Sequence, residues 1–215
     1  MLRRRRFLGT VAAGGALSIA GCSLLGDALS DEAQPAIVSQ DALDETGYSH
    51  ERTDEQTLSE TVEVADESQD VELTSWLVEY AYGGAIDVDL PNPIRYLLFS
   101  TPTVSVAGRD VNPLEQIDKE ELLSKMSSRS EFEGLENIEI VGERQVETLD
   151  TEVEITEFDA ETEDADVDVR LHLGSVTNEG DLIVFFAAHP EALDETANVD
   201  LLTEGIEHPV DPDDN

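Results

Sequence analysis

The chain has 215 residues, of which 50 are Asp or Glu and 12 are Lys or Arg, so its formal net charge is −38 at pH 7. Such an excess of negative charge excludes the classes of protein that bind nucleic-acid phosphates or anionic lipid headgroups through a basic surface. Because 40% of the residues are hydrophobic, we expect a folded rather than a disordered protein, stable at molar salt, where a Debye length of about 3 Å screens its self-repulsion.

The first 22 residues have the parts of an export signal. Arg4, Arg5, Phe7 and Leu8 fit the twin-arginine pattern Arg-Arg-x-Phe-Leu. The apolar run over residues 7–20 would extend roughly 21 Å as a helix, which is short of the ~30 Å hydrocarbon core of a bilayer. We therefore predict a signal peptide over residues 1–21 that is read by the twin-arginine export machinery. The alternative is an uncleaved membrane anchor.

Cys22 is the only cysteine in the chain, so an intramolecular disulfide is excluded. The segment Ile19-Ala20-Gly21-Cys22 resembles a lipobox, whose cysteine takes a thioether-linked lipid and becomes the mature N-terminus. The resemblance implies a protein that is anchored to the extracytoplasmic face of the cell membrane rather than one that spans it. We assign residues 22–47 to the lipidated cysteine and a tether, within which residues 35–46 form a short docked segment.

Strand patterns begin near residue 60, where residues 60–65 alternate polar and apolar side chains. Residues 71–82 are apolar on both faces of a strand, which places this strand in the middle of a sheet that is covered on both sides. Trp76, Tyr80 and Tyr82 share one face and are candidate ligand contacts, as is Phe185 later in the chain. Burial in the core is the alternative explanation for these aromatic side chains.

Two further strand runs, residues 94–99 and 103–106, flank Pro102. Proline lacks an N–H donor, so we expect a bulge or a sheet edge there. Asp118, followed three residues later by Glu121, predicts the start of a helix. Leu122, Leu123 and Met126 give that helix its apolar face.

The second half of the chain predicts two hairpins. Residues 138–146 and 153–158 flank a turn at 149–151, and residues 167–173 and 182–188 flank a turn at 177–181. Residues 167–173 alternate Val or Leu with Asp, Arg and His172, which predicts a half-solvated strand, whereas residues 182–188 are apolar throughout and predict the most buried strand. Short helices are expected over residues 191–195 and 199–206, and fraying from His208 onward.

This order of elements predicts one α+β domain over residues 48–209, followed by a frayed tail over residues 210–215. Its sheet should be mostly antiparallel and flanked by a few helices.

The sequence contains no motif for a catalytic or cofactor-binding site. Asp164, Asp166 and Asp168 allow a calcium-loop interpretation, but Val169 and Ser175 stand where such a loop needs Gly and Glu. There is no nucleophile elbow and no phosphate-binding glycine-rich loop. Metal-binding spacing is also missing from the four histidines, which are His50, His172, His189 and His208. We therefore predict no catalytic residue, no metal ligand and no cofactor.

Several segments resemble haloarchaeal lipoproteins of unknown function. They are the exported cysteine, residues 36–39 and 46–48, residues 99–102 with Asn112-Pro113, and residues 167–190. This resemblance implies a salt-loving archaeal source and transfers no catalytic residue. The Phe-Ser-Thr-Pro segment over residues 99–102, the acid-capped helix and the last hairpin are also similar in order to the PsbP/Mog1 type of α-β-α sandwich.

Two functional hypotheses follow from these observations. The first is a non-catalytic surface module that binds a small ligand or assembles with a partner protein beside the membrane. The second is a hydrolase that uses carboxylates, with or without a metal ion. We favour the first because the sequence offers no nucleophile–base pair. A deep cleft that gathers His172 or His189 with two or more acidic groups would favour the second.

Overall fold

A computed structural model describes residues 29–64, 67–83, 94–106, 108–128, 135–162 and 168–211. Most of these residues lie in strands, and three α-helices and one 3-10 helix complete the described part of the chain. The prediction of an α+β fold is confirmed, with the greater share of the residues in the sheet. The predicted export-signal residues and Cys22 lie outside the described residues.

The strands and helices follow one another along the chain with short connections. The strands are β1 (Leu29–Glu32), β2 (Ile37–Val38), β3 (Tyr48–Val64), β4 (Glu67–Tyr82), β5 (Arg95–Pro102), β6 (Val104–Val106), β7 (Arg109–Val111), β8 (Leu135–Thr148), β9 (Thr151–Thr162), β10 (Asp168–Asn178), β11 (Asp181–Pro190) and β12 (Ile206–Glu207). The helices are α1 (Gln40–Thr46), α2 (Lys119–Ser127) and α3 (Thr196–Glu204), and the 3-10 helix covers Pro113–Gln116.

Eight strands form one large sheet in the order β1-β4-β5-β11-β10-β9-β8, and β3 pairs with β4. Within the described residues of this sheet, only β1 runs parallel to its neighbour. One side of β4 is paired with β3, whereas its other side is shared by β1 at residues 71–74 and by β5 at residues 76–81. The interior position predicted for this strand is therefore confirmed, and β3 and β8 lie at the two sides of the sheet.

Successive side chains of a strand point to opposite faces of the sheet, and in the inner strands both sets are largely apolar. Both faces of the sheet are therefore covered by other elements. One face packs against α1, α3 and residues 36–38, with Val199 and Leu202 of α3 in its core. The other face packs against α2 and the 3-10 helix, where Leu123 and Met126 are buried. The β6–β7 hairpin covers a smaller apolar cluster that includes Val71 and Leu73.

Two local predictions are confirmed in detail. Asp118 caps α2, because its carboxylate accepts a hydrogen bond from the backbone N–H of Glu121 at 2.8 Å. Leu149 and Asp150 form the turn between β8 and β9 with φ values of 48° and 58°. Two successive residues in this left-handed region are typical of a tight hairpin turn whose twist matches that of the flanking strands.

The prediction that residues 167–173 form a half-solvated strand holds at Asp168, which is exposed, and is wrong at His172. His172 of β10 is fully buried, as are Leu171 and Leu173 on the opposite face. The predicted alternation of faces is correct, but at His172 the polar face packs against other groups of the domain instead of facing water. One of these groups is Arg144 of β8, which contacts His172.

The residues near both limits of the described domain are more ordered than the sequence predicted. Residues 29–32, assigned to the tether, form β1, whereas the docked segment predicted over residues 35–46 is confirmed and forms β2 and α1. Residues 191–195 are turns rather than a helix, since the helix starts at Thr196. His208 does not fray, because its ring nitrogens contact Asn178 and Asp181 at 3.0 and 3.1 Å.

Pro102 lies at the end of β5 rather than at a bulge or a sheet edge. It stands opposite Asp181 of β11, and the ladder continues without a register shift. As the last residue of the strand, it removes no donor from the middle of the ladder. The next residue, Thr103, resumes backbone bonding with the carbonyl of Gly180 at 2.9 Å.

Candidate functional site

The aromatic side chains predicted to contact a ligand lie against the protein's own chain. Tyr80 is 1% exposed, and its hydroxyl oxygen accepts a hydrogen bond from the backbone N–H of Val38 at 2.8 Å. Burial raises the pKa of Tyr80 to about 12. Tyr82 is half-buried and meets the ring of Tyr48 edge to face, with 5.6 Å between ring centroids. Phe185 is fully buried. An external ligand for these residues stays a prediction.

The indole nitrogen of Trp76, like the Tyr80 hydroxyl, bonds the backbone of the N-terminal segment over residues 33–38. Its indole N–H donates to the carbonyl of Ala33 at 3.0 Å. At the next residue, Gln34, the backbone N–H donates to the Asp181 carboxylate and the carbonyl accepts from the Ser100 hydroxyl, each at 2.7 Å. Side chains of β4, β5 and β11 therefore fasten the segment over residues 33–38 onto the sheet.

A second set of polar contacts crosses the face of the sheet beneath α3. Arg144 of β8, His172 of β10 and His189 of β11 form a chain that ends at the carbonyl of Pro190. Arg144 Nη1 lies 3.1 Å from His172 Nδ1, and the two histidine Nε2 atoms are 2.9 Å apart. His189 Nδ1 lies 2.9 Å from the Pro190 oxygen. Cross-strand pairing of β8, β9, β10 and β11 brings these distant residues together.

The partners at the two ends of this chain determine both histidine tautomers. A carbonyl oxygen can only accept, so His189 Nδ1 carries a hydrogen and its Nε2 is an acceptor. His172 Nε2 must therefore donate to it, which leaves His172 Nδ1 as the acceptor for the Arg144 guanidinium. Every hydrogen bond then points in one direction, and both imidazoles are neutral.

The burial of the two rings favours the same neutral state. Burial lowers the pKa of His172 to about 2, and the nearby His189 and the charges of Arg144 and Arg170 act in the same direction. Burial also lowers the pKa of His189, partly offset by the hydrogen bond to Pro190. A desolvated imidazolium beside a guanidinium is unfavourable, so neither ring is charged near neutral pH.

Carboxylates balance the charge of Arg144. Its Nε donates to Asp200 of α3 at 2.7 Å, and its Nη1 also donates to Glu157 of β9. The side chains of Arg144 and Glu157 are each 18% exposed, so this end of the chain reaches the protein surface. The second terminal nitrogen, Nη2, is buried and has no partner in the described part of the protein.

This arrangement can hold the sheet together but leaves little for proton-transfer chemistry. A general base needs a ring nitrogen within reach of its substrate. All four ring nitrogens of His172 and His189 already have partners, and the rings are at most 2% exposed. Their contacts join β8, β10 and β11 and, through Asp200, bind the sheet to α3.

An open cleft lies on the same face, farther along the strands. It has a volume of about 460 Å³ and is lined by Asn137, Glu139, Asp159, Ala160, Glu161, Asp168 and Glu191. Arg170 separates the cleft from the histidines, because it stands opposite both Asp159 and His189 and pairs with the Asp159 carboxylate. Neither His172 nor His189 lines the cleft.

In the part of the chain that the structure describes, no three His, Cys, Asp or Glu side chains are grouped to hold a metal ion. Asp164 and Asp166, two members of the calcium-loop alternative, lie outside the described residues. His50, the fourth histidine, contacts the Thr53 hydroxyl at 2.9 Å. Among the described helices, none combines the length and apolar character that crossing a bilayer requires.

Sequence reasoning did not find Arg144, the residue at the outer end of the buried hydrogen-bond chain. One signal could have indicated it. After removal of residues 1–21, the chain keeps only eight Lys or Arg residues against 50 acidic ones, and Arg144 lies two residues before Val146 on the inward face of β8. A scarce cation at an inward position of an acidic protein needs buried partners.

The comparisons with known proteins bear on the domain as a whole. No curated protein sequence matches the chain. The model of one family, described as a domain of unknown function (DUF6517), matches residues 35–207. The match spans well over half of the chain and includes the buried histidines and the cleft, and the chain therefore belongs to the DUF6517 family.

Proposed function

We propose that the protein is a lipid-anchored extracytoplasmic membrane protein whose domain acts as a non-catalytic binding or assembly module. The observation that carries this proposal is how close β1 lies, along the sequence, to the lipobox-like cysteine. Only residues 23–28 separate Cys22 from β1, which starts at Leu29. A lipid on Cys22 would therefore hold the folded domain beside the bilayer, at the place where a surface module has to act.

The export route in this proposal is the twin-arginine pathway of a salt-loving archaeon. The arginine pattern supports the route, and the acidic composition supports the habitat. Changing both Arg4 and Arg5 to Lys should trap the precursor inside the cell, whereas Arg3→Lys, outside the pattern, should leave export intact. Circular dichroism should show unfolding in dilute buffer and recovery in molar KCl.

The state of the histidines supports binding or assembly over catalysis. A catalytic imidazole works with a pKa near the operating pH and with access to its substrate. Burial depresses the pKa of His172 and His189, and each of their ring nitrogens is already bonded within the domain. These side chains contribute to the fold, which leaves the outer surfaces of the domain for recognition.

The second candidate function is a carboxylate- or metal-dependent hydrolase, and the cleft is the observation that favours it. Acidic side chains of β8, β9 and β10 face one another there around about 460 Å³, and paired carboxylates can share acid and base roles. Ester and peptide hydrolysis assays with Mg²⁺, Ca²⁺ or Mn²⁺ separate the two functions. Turnover that Asp159→Asn abolishes, and that Glu51→Gln leaves intact, would replace the binding module by the enzyme.

The finer fold assignment is also a proposal. Helices α1 and α3 pack on one face of the sheet and α2 on the other, and this layering supports the PsbP/Mog1-like α-β-α sandwich. Proteins of that architecture can serve unrelated functions, so the assignment adds nothing to the argument about activity. An experimental structure superposed on such a sandwich would test it through the order of the strands.

Cell fractionation in the source organism or a salt-loving host tests the anchor. Cys22→Ser should release the protein into the medium or leave it unprocessed, because a serine hydroxyl cannot accept the thioether-linked lipid. Ser23→Ala is the matched control and should stay with the membrane. Full membrane retention of Cys22→Ser would place the anchor elsewhere in the chain and would contradict the proposal.

A further inference from the structure

The large sheet has two ends that differ in what they carry. Leu29, where β1 starts, stands beside Val71 of β4. Following the pairing from β4 through β5 to β11 places Asp181 at this same end, and with it the turns over residues 149–150 and 179–180. We call it the Leu29 end.

The opposite end carries the carboxylate-lined cleft. Ala81 of β4 stands opposite Arg95 of β5, which stands opposite Ala188 of β11, two residues before the end of that strand. Glu191 and Asp168 of the cleft follow at this level. From Val71 to Ala81 the sheet extends about 33 Å, at about 3.3 Å per residue. We call this the cleft end.

The Leu29 end is the only one that a lipid on Cys22 can reach easily. Residues 23–28 and their flanking bonds extend at most about 25 Å, at 3.3–3.6 Å per residue. That maximum is less than the length of the sheet. The lipid must therefore enter the bilayer near the Leu29 end.

The connection between tether and domain is also firmly fixed. Beyond β1, the backbone of Ala33 donates to Thr74 and accepts from Trp76, while Gln34 is held by Ser100 and Asp181. Ala33 itself is fully buried. Since β1 pairs with interior strand β4, the tether leaves from within the sheet end rather than from one of its two sides.

We propose that the protein stands on the membrane with its Leu29 end toward the bilayer and its cleft end toward the surroundings. This orientation rests on the proposed lipid at Cys22. The surface offered to partners is then the cleft end, with the cleft and the exposed side chains of Ile140 and Val141.

Ile140 and Val141 also define the strongest competing arrangement. They are 54% and 46% exposed and lie on β8 at the cleft end, where Ile140 stands opposite Phe158. If these apolar side chains inserted into the headgroup region, the domain would tilt until its cleft end contacted the bilayer. The two arrangements predict opposite distances from the membrane for labels at the two ends.

Energy transfer in vesicles distinguishes these arrangements. The lipidated full chain would be reconstituted into phosphatidylcholine–phosphatidylglycerol vesicles with an acceptor dye on the headgroups, in molar KCl. A donor dye is placed on Glu152→Cys at the Leu29 end or on Glu191→Cys at the cleft end; both positions are exposed. The thioether on Cys22 leaves each new cysteine as the single free thiol.

The expected result is a larger loss of donor emission at residue 152 than at residue 191. Inserting about 20 Gly and Ser residues after Ser23, which adds about 25 Å of average reach, should bring the two losses closer together. A larger loss at residue 191, or equal losses with the native tether, would overturn the orientation.

Flotation of the same samples separates the failure of the orientation from the failure of the anchor. Wild-type protein should float with the vesicles, and Cys22→Ser should stay in solution. If the wild-type protein does not float, the proposed anchor fails and the orientation falls with it. If it floats but the emission losses are equal or reversed, the anchor stands and only the orientation is wrong.

Discussion

The buried histidine chain and the open cleft lie side by side on one face of the same sheet, yet they treat their polar groups in opposite ways. In the chain from Arg144 to Pro190, each imidazole nitrogen is bonded and the rings are sealed from water. In the cleft, carboxylates face solvent around a space of about 460 Å³. Polar residues near one another therefore have different roles: the first set stabilises the domain from within, whereas the second lines an open space and is only partly paired, through Arg170 and Asn137.

The largest effect should come from breaking the buried chain. His172→Ala leaves a cavity and deprives the Nε2 atom of His189 of its donor, so the free energy of unfolding should fall by about 3–4 kcal/mol. Urea-induced unfolding in molar KCl, followed by circular dichroism, measures this free energy. Glu139→Gln in the cleft is the matched control and should shift stability by no more than about 0.5 kcal/mol. Equal effects of the two variants would erase the distinction between the regions.

Acid should lower the stability of the folded wild-type protein through His172. The pKa of His172 is depressed in the folded state, so the unfolded state binds more protons below its ordinary pKa of about 6.5. The stabilisation is complete above pH 6.5 and is lost as pH falls toward about 2. At pH 4, the His172 side chain alone should lower the free energy of unfolding by about 3 kcal/mol relative to neutral pH.

The difference between variants isolates that contribution from the titration of the many carboxylates. Unfolding measured from pH 7 to pH 4 should fall less steeply for His172→Phe than for the wild-type protein. His50→Gln, which changes a histidine away from the chain, should keep the wild-type slope. A His172→Phe profile parallel to the wild-type profile would mean that His172 does not titrate on unfolding.

A smaller effect is expected where an aromatic side chain fastens the N-terminal segment. Tyr80→Phe keeps the ring but leaves the N–H of Val38 without its acceptor, which should destabilise the domain by about 1–2 kcal/mol. Tyr82→Phe, on the same face of β4 and half-buried, serves as the control and should be nearly neutral. If Tyr80→Phe also leaves the free energy of unfolding unchanged, the Tyr80 hydroxyl does not hold the segment over residues 33–38.

The smallest effect belongs to the cleft itself. Replacing Glu139 and Asp168 by Gln and Asn removes two exposed negative charges, so the salt concentration at the midpoint of refolding should fall slightly, by the equivalent of about 0.5 kcal/mol or less. The same change at Glu51 and Glu55, outside the cleft, should have a still smaller effect. A larger effect at the outer pair would mean that the cleft does not concentrate repulsion.

The sequence was sufficient for the strongly patterned parts of the fold. The apolar run over residues 182–188, the interior strand β4, the turn at Leu149–Asp150 and the cap at Asp118 all follow from local chemistry that the tertiary structure leaves unchanged. Most of β3 was missed, and only residues 60–65 were predicted. Its earlier residues carry many charged and polar side chains, because this strand at the side of the sheet needs few apolar ones.

The polar sites could not be predicted because they depend on cross-strand pairing. His172 and His189 stand on neighbouring strands, and Arg144 reaches His172 from β8, across β9. Nothing in the spacing of these residues reveals that register. Docking was predicted for residues 35–46, but the contacts of Ala33 and Gln34 were not, since their partners Trp76, Ser100 and Asp181 come from three separate strands.

The most direct test of the account is the mass of the mature N-terminal peptide. Protein extracted from membranes would be digested, and the peptide that begins at Cys22 analysed by mass spectrometry. We predict cleavage between Gly21 and Cys22 and a cysteine whose added mass is that of a thioether-linked lipid. A membrane-bound protein with an unmodified Cys22, or with residues 1–21 still attached, would contradict the lipid anchor and the orientation built on it.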